Sequence, residues 1–405
     1  MVEDLSRFLT AQPVSPPLWG RALLRAVSEV GEGELVLRFA NGAERTIGAA
    51  KSGARAVLNI ANARTLRRLV FGGTVGLAES YLDGDWSSPD LASVFEFGAR
   101  NMDRMIGGLR GLAPLRIANM MRHRLRPNTK KGSRRNIAAH YDLGNSFYSE
   151  WLDATMSYSS AFFESKEMSL EDAQRAKWRR MAEMLELRPG LRVLEIGCGW
   201  GGFAMFAARE FGCHVTGITL SSEQYAYATQ EASRAGLSHL VDIRFEDYRD
   251  TQGQFDRIVS IEMFEAVGEE NWPRYFEVVR DRLKPGGIAG LQIITIDDAD
   301  FEIYRRSADF IQLYIFPGGM LPSPRALKQA VLCQGLGFET VRTFALSYAE
   351  TLRRWRETFD ARWPKIAPLG FDERFRRMWD YYLASCEGGF RAGAIDVGQF
   401  RLTRV

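Results

Sequence analysis

Cysteine and histidine are scarce in this chain, which has only four of each among 405 residues. The cysteines stand at positions 198, 213, 333 and 386 without C-x-x-C spacing, and the histidines at 123, 140, 214 and 239 lack the spacing of metal ligands. These absences argue against a zinc site and against a disulfide framework. We therefore expect no metal cofactor, and reduced thiols in a cytoplasmic protein.

Long apolar runs and a strong net charge are also missing. No stretch approaches the roughly 20 apolar residues that a membrane-spanning helix needs. Asp4 and Arg7 interrupt any apolar run at the N-terminus, which predicts that there is no signal peptide. The net charge of +3 is too small to mark the whole chain as a nucleic-acid binder. Any membrane contact is therefore expected to be peripheral, at the inner face of the membrane.

The positive charge is concentrated in one segment. Residues 104–135 contain ten Lys or Arg and no acid, interleaved with Leu, Ile and Met but not with aromatic residues. Such a segment can lie on an anionic lipid surface, with a gain of about 1 kcal/mol per basic residue, although a solvated linker is the alternative. We predict an N-terminal lipid-binding or dimerisation domain over 1–102, a basic linker over 103–135 and a catalytic domain over 136–405.

Strand and helix signals alternate along the third segment. The pattern predicts strands at 191–196, 213–218, 241–246, 256–261 and 287–295, helices at 201–211, 221–236 and 271–283, and a further helical stretch over 301–313. This rhythm is typical of an α/β protein with a doubly wound, mostly parallel, Rossmann-like sheet. The first segment predicts a smaller α+β domain, with a hairpin over 34–47 on an Asn-Gly turn, a helix over 63–82 interrupted at Gly72-Gly73, and a second helix over 91–105.

A glycine-rich turn follows the first strand of the catalytic segment. Its sequence, L-R-V-L-E-I-G-C-G-W-G-G over 191–202, predicts a strand, a tight turn and a helix start. A turn that binds no ligand is the plain alternative. The spacing differs from the dinucleotide fingerprint, no Lys follows the glycines, and the second strand ends in Thr219 rather than in an acid. The segment resembles the S-adenosylmethionine pocket of class I methyltransferases, in which the acid at position 195 holds the methionine end.

Several further motifs occur in a fixed order and identify a family. They include His140–Asn145 (HYDLGN), Met156–Ser160 (MSYSS), Gly217–Gln224 (GITLSSEQ), Met263–Gly268 (MFEAVG) and Tyr314–Gly319 (YIFPGG). Over about residues 130–405 the chain resembles cyclopropane-fatty-acyl-phospholipid synthases and mycolic-acid methyltransferases. The resemblance implies methyl transfer from S-adenosylmethionine to a carbon–carbon double bond of an unsaturated phospholipid acyl chain. It also suggests a homodimer.

The resemblance assigns cofactor-binding roles to residues of the motifs and of the turn. The implied set is Tyr158, Ser159, Glu195, Gly197, Cys198, Gly199, Gly201, Thr219, Leu220, Gln224, Asp247 and Tyr248. Thr219 and Gln224 could instead cap a helix, and both roles can coexist. An apolar slot for the acyl chain has the aromatic candidates Phe162, Phe163, Phe264, Tyr314, Phe316 and Tyr348. Such a slot would keep water away from the cation that forms on the alkene.

The catalytic candidates are Glu265, Tyr348, Ser160, Gln292 and Glu262. In the family, a Glu helps to hold a bicarbonate base together with a Cys, a His, the backbone of an Ile and a Tyr. Here Ser160 stands at the Cys position and Gln292 at the His position, and Ala266 replaces the His that usually follows the Glu. These replacements weigh against a bound bicarbonate, although Ser and Gln can still hydrogen-bond an anion. Glu262 adds a carboxylate that could replace the base or point into solvent.

The altered bicarbonate site leaves the product open. If the proton of the new methyl group cannot be removed efficiently, the cation can lose a neighbouring proton and give a methyl-branched or methylene lipid instead of a cyclopropane. Two other functions compete with this interpretation: a methyltransferase of a soluble small molecule, and a membrane-binding protein with a degenerate pocket. A nucleic-acid methyltransferase is disfavoured because the chain has no Asn-Pro-Pro-Tyr or Asp-Pro-Pro-Tyr element.

Overall fold

The computed structural model describes residues 31–48, 53–102 and 143–404. Their contacts define two compact units: residues 31–102, 307–311 and 371–394 form the first, and residues 143–306, 312–370 and 395–404 the second, within the described ranges. The chain thus returns to the first unit near its C-terminus, whereas the sequence predicted one continuous domain over 136–405. The predicted basic linker, residues 103–135, and the start of the HYDLGN motif lie outside the described residues.

The first unit contains a small mixed sheet with helices. The four strands, in the order β2-β1-β3-β4, are β1 (Glu34–Phe39), β2 (Glu44–Gly48), β3 (Arg55–Ile60) and β4 (Trp86–Ser87). β1 and β2 form the predicted antiparallel hairpin, whose turn places Gly42 at φ +81°. The helices are α1 (Arg64–Leu82), which Gly73 interrupts with φ +59°, and α2 (Leu91–Arg100). Asp90 caps α2, because its side chain accepts the Ser93 N–H.

A C-terminal helix completes the first unit. Helix α11 (Glu373–Ala392) packs on α2 so closely that a Cβ at Gly388 would lie 2.5 Å from Cβ of Phe95. The Tyr81 hydroxyl donates to Asp380 at 2.7 Å, and the Arg377 guanidinium lies 4.0 Å from the centre of the Tyr81 ring. These contacts explain why the helix belongs to this unit, although more than 300 residues of sequence separate it from the hairpin.

The second unit is built on a seven-stranded sheet in the order β10-β11-β9-β8-β5-β6-β7. The strands are β5 (Arg192–Ile196), β6 (His214–Thr219), β7 (Val241–Phe245), β8 (Phe255–Ile261), β9 (Leu283–Ile296), β10 (Leu336–Thr343) and β11 (Ile395–Arg404). β9, β8, β5, β6 and β7 pair in parallel, and β11 and β10 add antiparallel strands at the β9 side. The predicted doubly wound α/β fold is confirmed, with an antiparallel extension that the sequence did not predict.

Helices cover this sheet. They are α3 (Asn145–Trp151), α4 (Leu170–Met184), α5 (Gly202–Phe211), α6 (Ser222–Arg234), α7 (Trp272–Arg282), α8 (Phe301–Tyr304), α9 (Pro324–Leu332) and α10 (Ala345–Ile366). Short turns of helix lie at Phe264–Ala266, Glu269–Asn271, Ile311–Ile315 and Ala367–Leu369. None of the helices within the described residues has the length and apolar character that crossing a membrane would require.

Two predicted boundaries differ from the structure. β9 begins at Leu283 rather than at 287, because Leu283 already pairs with Phe255 and the residues 284–287 bulge opposite Asp256. The helix predicted over 301–313 ends at Tyr304, because residues 307–311 pack in the first unit. The central strands bury aliphatic side chains on both faces of the sheet, including Val193, Leu194, Ile258 and Val259, so the carboxyl edge of the sheet rests on a rigid core.

Candidate active site

A cavity lies at the carboxyl ends of β5, β6, β7 and β8, where ligands bind in open α/β sheets. The space inside the cavity and its solvent-filled mouth is about 980 Å³. Its wall includes residues of the predicted cofactor set, namely Tyr158, Ser159, Glu195, Gly197, Cys198, Gly199, Thr219, Leu220, Gln224 and Tyr248. The fold thus brings together residues that are up to 90 positions apart in the sequence.

The glycine turn forms the floor of the cavity. The N–H groups of Gly197 and Cys198 both donate to the carbonyl of Ile218 at 3.0 Å, which fixes the turn to β6. Gly199 has φ +53°, and a Cβ at this position would have no atom within 4 Å, so its backbone faces open space. Gly201 has φ +84° and precedes α5, but it packs on Ala228 rather than on the cavity.

The second strand ends in a hydrogen-bonded group that lines the cavity. The Thr219 hydroxyl donates to Oε1 of Gln224 at 2.7 Å and accepts the Ser221 N–H at 3.1 Å. Ser221 caps α6, because its side chain accepts the Gln224 N–H. Ser221 rather than Thr219 is therefore the helix cap, so the alternative role considered for Thr219 is wrong. The side chains of Thr219 and Gln224 line the cavity.

The third strand corrects one assignment. Asp247 is not part of the cavity wall, because its carboxylate is buried and binds the Arg249 guanidinium at 2.7 and 2.8 Å. The neighbouring Glu246 lines the cavity instead, and its buried Oε1 has no hydrogen-bond partner among the described residues. Tyr248 lies between the cavity and the ring of Tyr275, at a centroid distance of 5.3 Å. Glu246 is thus a site residue that the sequence analysis missed.

The cavity wall also contains a buried carboxylate. Glu195 is only 3% exposed, and burial raises its pKa to about 8 against the opposing charge of Lys177. Its Oε2 atom has no hydrogen-bond partner among the described residues. Such an unpaired buried acceptor is expected where a cationic ligand completes the site. The α-amino group and the sulfonium of S-adenosylmethionine are both cationic, so the donor set fits this cofactor.

A second carboxylate lies beside the cavity, at the end of β8. Glu262 has φ +52°, a left-handed conformation that is unusual for a residue with a side chain. Its Oε1 accepts the Ser160 N–H and the Gln292 side-chain amide, both at 2.8 Å, and its Oε2 accepts the Tyr348 hydroxyl at 2.6 Å. The structure thus brings four of the five predicted catalytic residues into one network and answers the question of where Glu262 points.

Burial raises the pKa of Glu262, while the hydrogen bonds from Tyr348 and Gln292 and the charge of Lys177 oppose that increase. Gln399 of β11 donates to Oε1 of Gln292 at 3.2 Å. This bond fixes the orientation of the Gln292 amide, so its amino group faces Glu262. Gln399 is therefore a supporting residue that lies outside every motif of the sequence.

Glu265, the fifth predicted catalytic residue, accepts the Ile294 N–H at 2.6 Å. Burial raises its pKa to about 8, and the charge of Glu262 adds to this increase. Its Oε2 is buried and has no hydrogen-bond partner among the described residues. Ala266, at the position after Glu265, is exposed at the cavity wall.

The predicted acyl-slot residues separate into different environments. Phe264 is 1% exposed and packs against Trp272, Tyr275 and Phe276, so it is a core residue rather than a slot residue. The ring of Phe316 lies 6.5 Å from that of Tyr158, which lines the cavity. Phe162 packs against Phe344 at 5.4 Å. The acyl slot itself remains a prediction.

Lys177 is the main residue of this region that the sequence analysis did not find. It lies on α4, is fully buried, and donates to Oγ of Ser159 at 2.7 Å. The sequence pattern does indicate that Lys177 is buried. Ala173, Lys177 and Met181 follow one another at intervals of four, which places the lysine on the apolar face of the helix.

Known proteins resemble this chain in sequence and in fold. Residues 128–400 match the family model described as mycolic acid cyclopropane synthetase. The tuberculostearic acid methyltransferase UfaA1 of Mycobacterium tuberculosis is 42% identical over 348 residues, 84% of this chain and 81% of that protein. The cyclopropane-fatty-acyl-phospholipid synthase of Escherichia coli K12 is 40% identical over 374 residues, 91% of this chain and 93% of that protein. The crystal structure of mycolic acid cyclopropane synthase CmaA1 complexed with SAH and CTAB superposes with a TM-score of 0.62 at 32% identity, covering 67% of this chain and 98% of that one.

Proposed function

Since the chain belongs to the mycolic acid cyclopropane synthetase family, we propose that it methylates an unsaturated phospholipid acyl chain with the carboxylate of Glu262 as its base, and that the product carries a methylene group instead of a cyclopropane. The chain is an S-adenosylmethionine-dependent lipid methyltransferase. The observation that supports the proposed base is the set of three hydrogen bonds on Glu262, which come from Ser160, Gln292 and Tyr348.

Bound S-adenosylmethionine supplies an electrophilic methyl group. The π pair of the alkene forms the new bond to this methyl, and positive charge then appears on the neighbouring carbon of the acyl chain. Glu195 and Glu262 line the same cavity, so two carboxyl groups face the region where the charge develops. Preorganised dipoles and the charge of Glu262, in a site from which water is excluded, stabilise a developing cation more strongly than they would in water.

The proton must then go to a base within reach. The resemblance gives a bicarbonate ion to the space between the positions of Ser160, Gln292 and Tyr348. In this chain these residues bind the carboxylate of Glu262 instead, with both carboxylate oxygens engaged. A carboxylate is the same kind of acceptor as bicarbonate, and it is covalently fixed beside the cavity. Glu262 therefore replaces the ion rather than adding to it.

A fixed base favours a different outcome for the cation. A bicarbonate ion, even when it is hydrogen-bonded, has no covalent link to the chain, whereas Glu262 is held by three hydrogen bonds and by its attachment at the end of β8. A hydride can then shift from the methylated carbon to the cationic carbon before the proton leaves the methyl group. The hydride shift and the loss of the proton together give a methylene branch on the acyl chain, and no reductant is needed. A saturated methyl branch would require the addition of a hydride. The relative at 42% identity is named as a methyltransferase rather than as a cyclopropane synthase, which agrees with this proposal.

The test combines product analysis with two variants of Glu262. The wild-type protein is incubated with unsaturated phospholipid vesicles and S-adenosylmethionine in buffer depleted of bicarbonate. We expect mass spectrometry to show the gain of one CH₂ and proton NMR to show terminal methylene signals. High-field cyclopropane protons would overturn the proposed product, and an absolute need for added bicarbonate would overturn the proposed base.

Replacement of Glu262 gives a matched pair. Glu262→Gly empties the anion site, and glycine accepts φ +52° without strain, so added bicarbonate should restore product formation. Glu262→Gln keeps the site filled but removes the charge, so bicarbonate should not restore activity. Removal of a general base typically costs about 10²- to 10⁴-fold in rate. Full activity of Glu262→Gln would contradict the role of Glu262.

We also propose that the protein reaches its lipid as a peripheral protein on an anionic membrane surface at the cytoplasmic face, and that it forms a homodimer. The basic segment 104–135 supports the membrane contact through its charge and its interleaved apolar residues. The competing function, methylation of a soluble small molecule, would not require this contact. Analytical ultracentrifugation of the full chain tests the dimer, and vesicle binding tests the membrane contact.

A further inference from the structure

Lys177 is a buried charge that the proposed reaction does not yet use. Its side chain is fully buried on α4, and lysine is almost never fully buried unless it is paired. Its Nζ atom donates to Oγ of Ser159 at 2.7 Å and to Oε1 of Gln174 at 2.5 Å. Neither of these partners is charged, so the two bonds position the ammonium without neutralising it.

Lys177, Gln174 and Ser159 form one hydrogen-bonded group. The Gln174 side-chain amide donates to the carbonyl of Ser159 at 2.9 Å, so Ser159 is held through both its backbone and its hydroxyl. Ser159 lines the cofactor cavity, and Ser160 next to it donates its N–H to Glu262. Through this loop the helix α4 fixes the ammonium of Lys177 close to the cavity and to the anchored carboxylate.

Carboxylates from three parts of the chain act on this ammonium through their charge. Glu262 follows β8, Asp153 follows α3 and Glu195 lies next to the last residue of β5. Their charges favour the protonated form of Lys177, while burial lowers its pKa to about 8. Lys177 is therefore mainly charged at neutral pH. The hydrogen-bond donors of Glu262 are an N–H, an amide and a hydroxyl, all neutral.

We propose that Lys177 is a positioning residue for the reaction: its ammonium, anchored by Ser159 and Gln174, is the counter-charge that keeps Glu262 ionised and able to accept a proton. This inference rests on the proposed function of Glu262 as the base. A lysine that only held Ser159 in place would support cofactor binding equally at every pH. The two roles therefore differ in their pH dependence.

The sign of the effect follows from the surrounding charges. The ammonium of Lys177 lowers the pKa of Glu262, and Tyr348 and Gln292 lower it further by hydrogen bonding. Glu265 contributes a neighbouring carboxyl, and the charges of Asp153 and Glu195 act on the lysine. Removing the positive charge raises the pKa of Glu262, so a larger fraction of the base is protonated at low pH. Activity should then fall most on the acid side.

The experiment compares pH profiles of lipid product formation at saturating S-adenosylmethionine. In Lys177→Met we expect the acid side of the pH–activity profile to move to higher pH by about one unit. This shift lowers the rate on the acid side about tenfold, while the loss of rate at higher pH is much smaller. Lys177→Arg keeps the charge and should restore the wild-type profile. Lys284→Met is the matched control, because Lys284 lies at the start of β9 in an exposed ion pair with Asp256 and should leave the profile unchanged.

Stability itself depends on pH, so the folded fraction of each variant is measured by circular dichroism at every pH and the rates are divided by it. An equal loss at all pH values in Lys177→Met would overturn the inference and leave Lys177 as a support of Ser159. A fully active Glu262→Gln would show instead that the proposed base is wrong. If Glu262→Gln loses most of its activity while the pH profile of Lys177→Met is unshifted, the inference about Lys177 is wrong and the role of Glu262 as the base is retained.

Discussion

At the scale of single residues, the site is defined by carboxylates that the fold keeps away from water. Glu195, Glu262 and Glu265 have pKa values that burial raises, and clusters of perturbed acids of this kind are typical of functional sites. Glu262 is the most informative of them, because its three hydrogen-bond donors stand at the positions where the resemblance implies a bicarbonate ion.

Glu265 gives a prediction about stability and pH. Its pKa is raised to about 8 in the folded protein, whereas an unperturbed Glu titrates near about 4.3. Between these values the folded state holds a proton that the unfolded state has lost, so stability falls as the pH rises through this range. Glu265→Gln removes this penalty and keeps an acceptor for the Ile294 N–H. We expect its Tm to match that of the wild type at pH 5 and to exceed it at pH 8.5.

Differential scanning calorimetry at the two pH values makes this measurement. The control is Glu277→Gln, because Glu277 is partly exposed on α7 and forms an ion pair with Arg274. A Tm difference for Glu265→Gln that does not change with pH would mean that Glu265 is ionised in the folded protein.

The role of Glu262 could be proposed from the sequence but not decided. A carboxylate after a strand can point into solvent or into the site. Its direction here depends on the backbone φ of +52° at Glu262 and on hydrogen-bond donors from residues 160, 292 and 348. None of these is a neighbour in the sequence. The pairing of Asp247 with Arg249, which removes Asp247 from the cavity, depends on side-chain geometry that a motif does not encode.

At the scale of elements, the glycine turn between β5 and α5 is the feature that makes the cavity. Gly199→Val would place a side chain where no atom lies within 4 Å of the added Cβ, so the substitution fills ligand space rather than displacing protein. The positive φ costs about 1–3 kcal/mol for a residue other than glycine. We expect a modest loss of Tm and a loss of S-adenosylmethionine affinity of more than about tenfold, or about 1.4 kcal/mol.

Gly236→Val is the matched control for calorimetric binding. Gly236 has φ +69° and open space around its Cβ position, as Gly199 has, but it lies beyond the end of α6 and away from the cavity. It should lose a similar amount of stability while it keeps its affinity. Equal affinity in both variants would show that the ligand does not rest on this turn.

The parallel part of the sheet was predictable because each strand is followed closely by its helix, so local periodicity carries the information. β5, β6, β7 and β8 lie within one or two residues of their predicted bounds. β10, β11 and α11 were not predicted, since their partners are remote: β11 pairs with β9 across about 100 residues, and α11 packs on α2 across nearly 300. Such elements are fixed by tertiary packing rather than by local sequence.

At the scale of the whole molecule, the chain joins a catalytic unit to a unit that is discontinuous in sequence. Residues 371–394 complete the first unit, although they follow most of the second. The two units therefore cannot be separated by a single cut at the basic segment. Experiments on membrane binding need the full chain for this reason.

Binding to anionic vesicles tests the proposed membrane contact. Four cations at the end of the basic segment are replaced with Gln in one variant: Lys130, Lys131, Arg134 and Arg135. Each contributes about 1 kcal/mol near a charged leaflet, so cosedimentation with phosphatidylserine-containing vesicles should weaken at least about tenfold, and binding by the wild type should fall with added salt. The control removes the same charge from exposed positions of the catalytic unit, Arg209, Arg234, Arg274 and Arg306, and should bind almost normally. Equal binding by both variants would place the contact elsewhere, and a wild type that binds no vesicles would favour a soluble substrate.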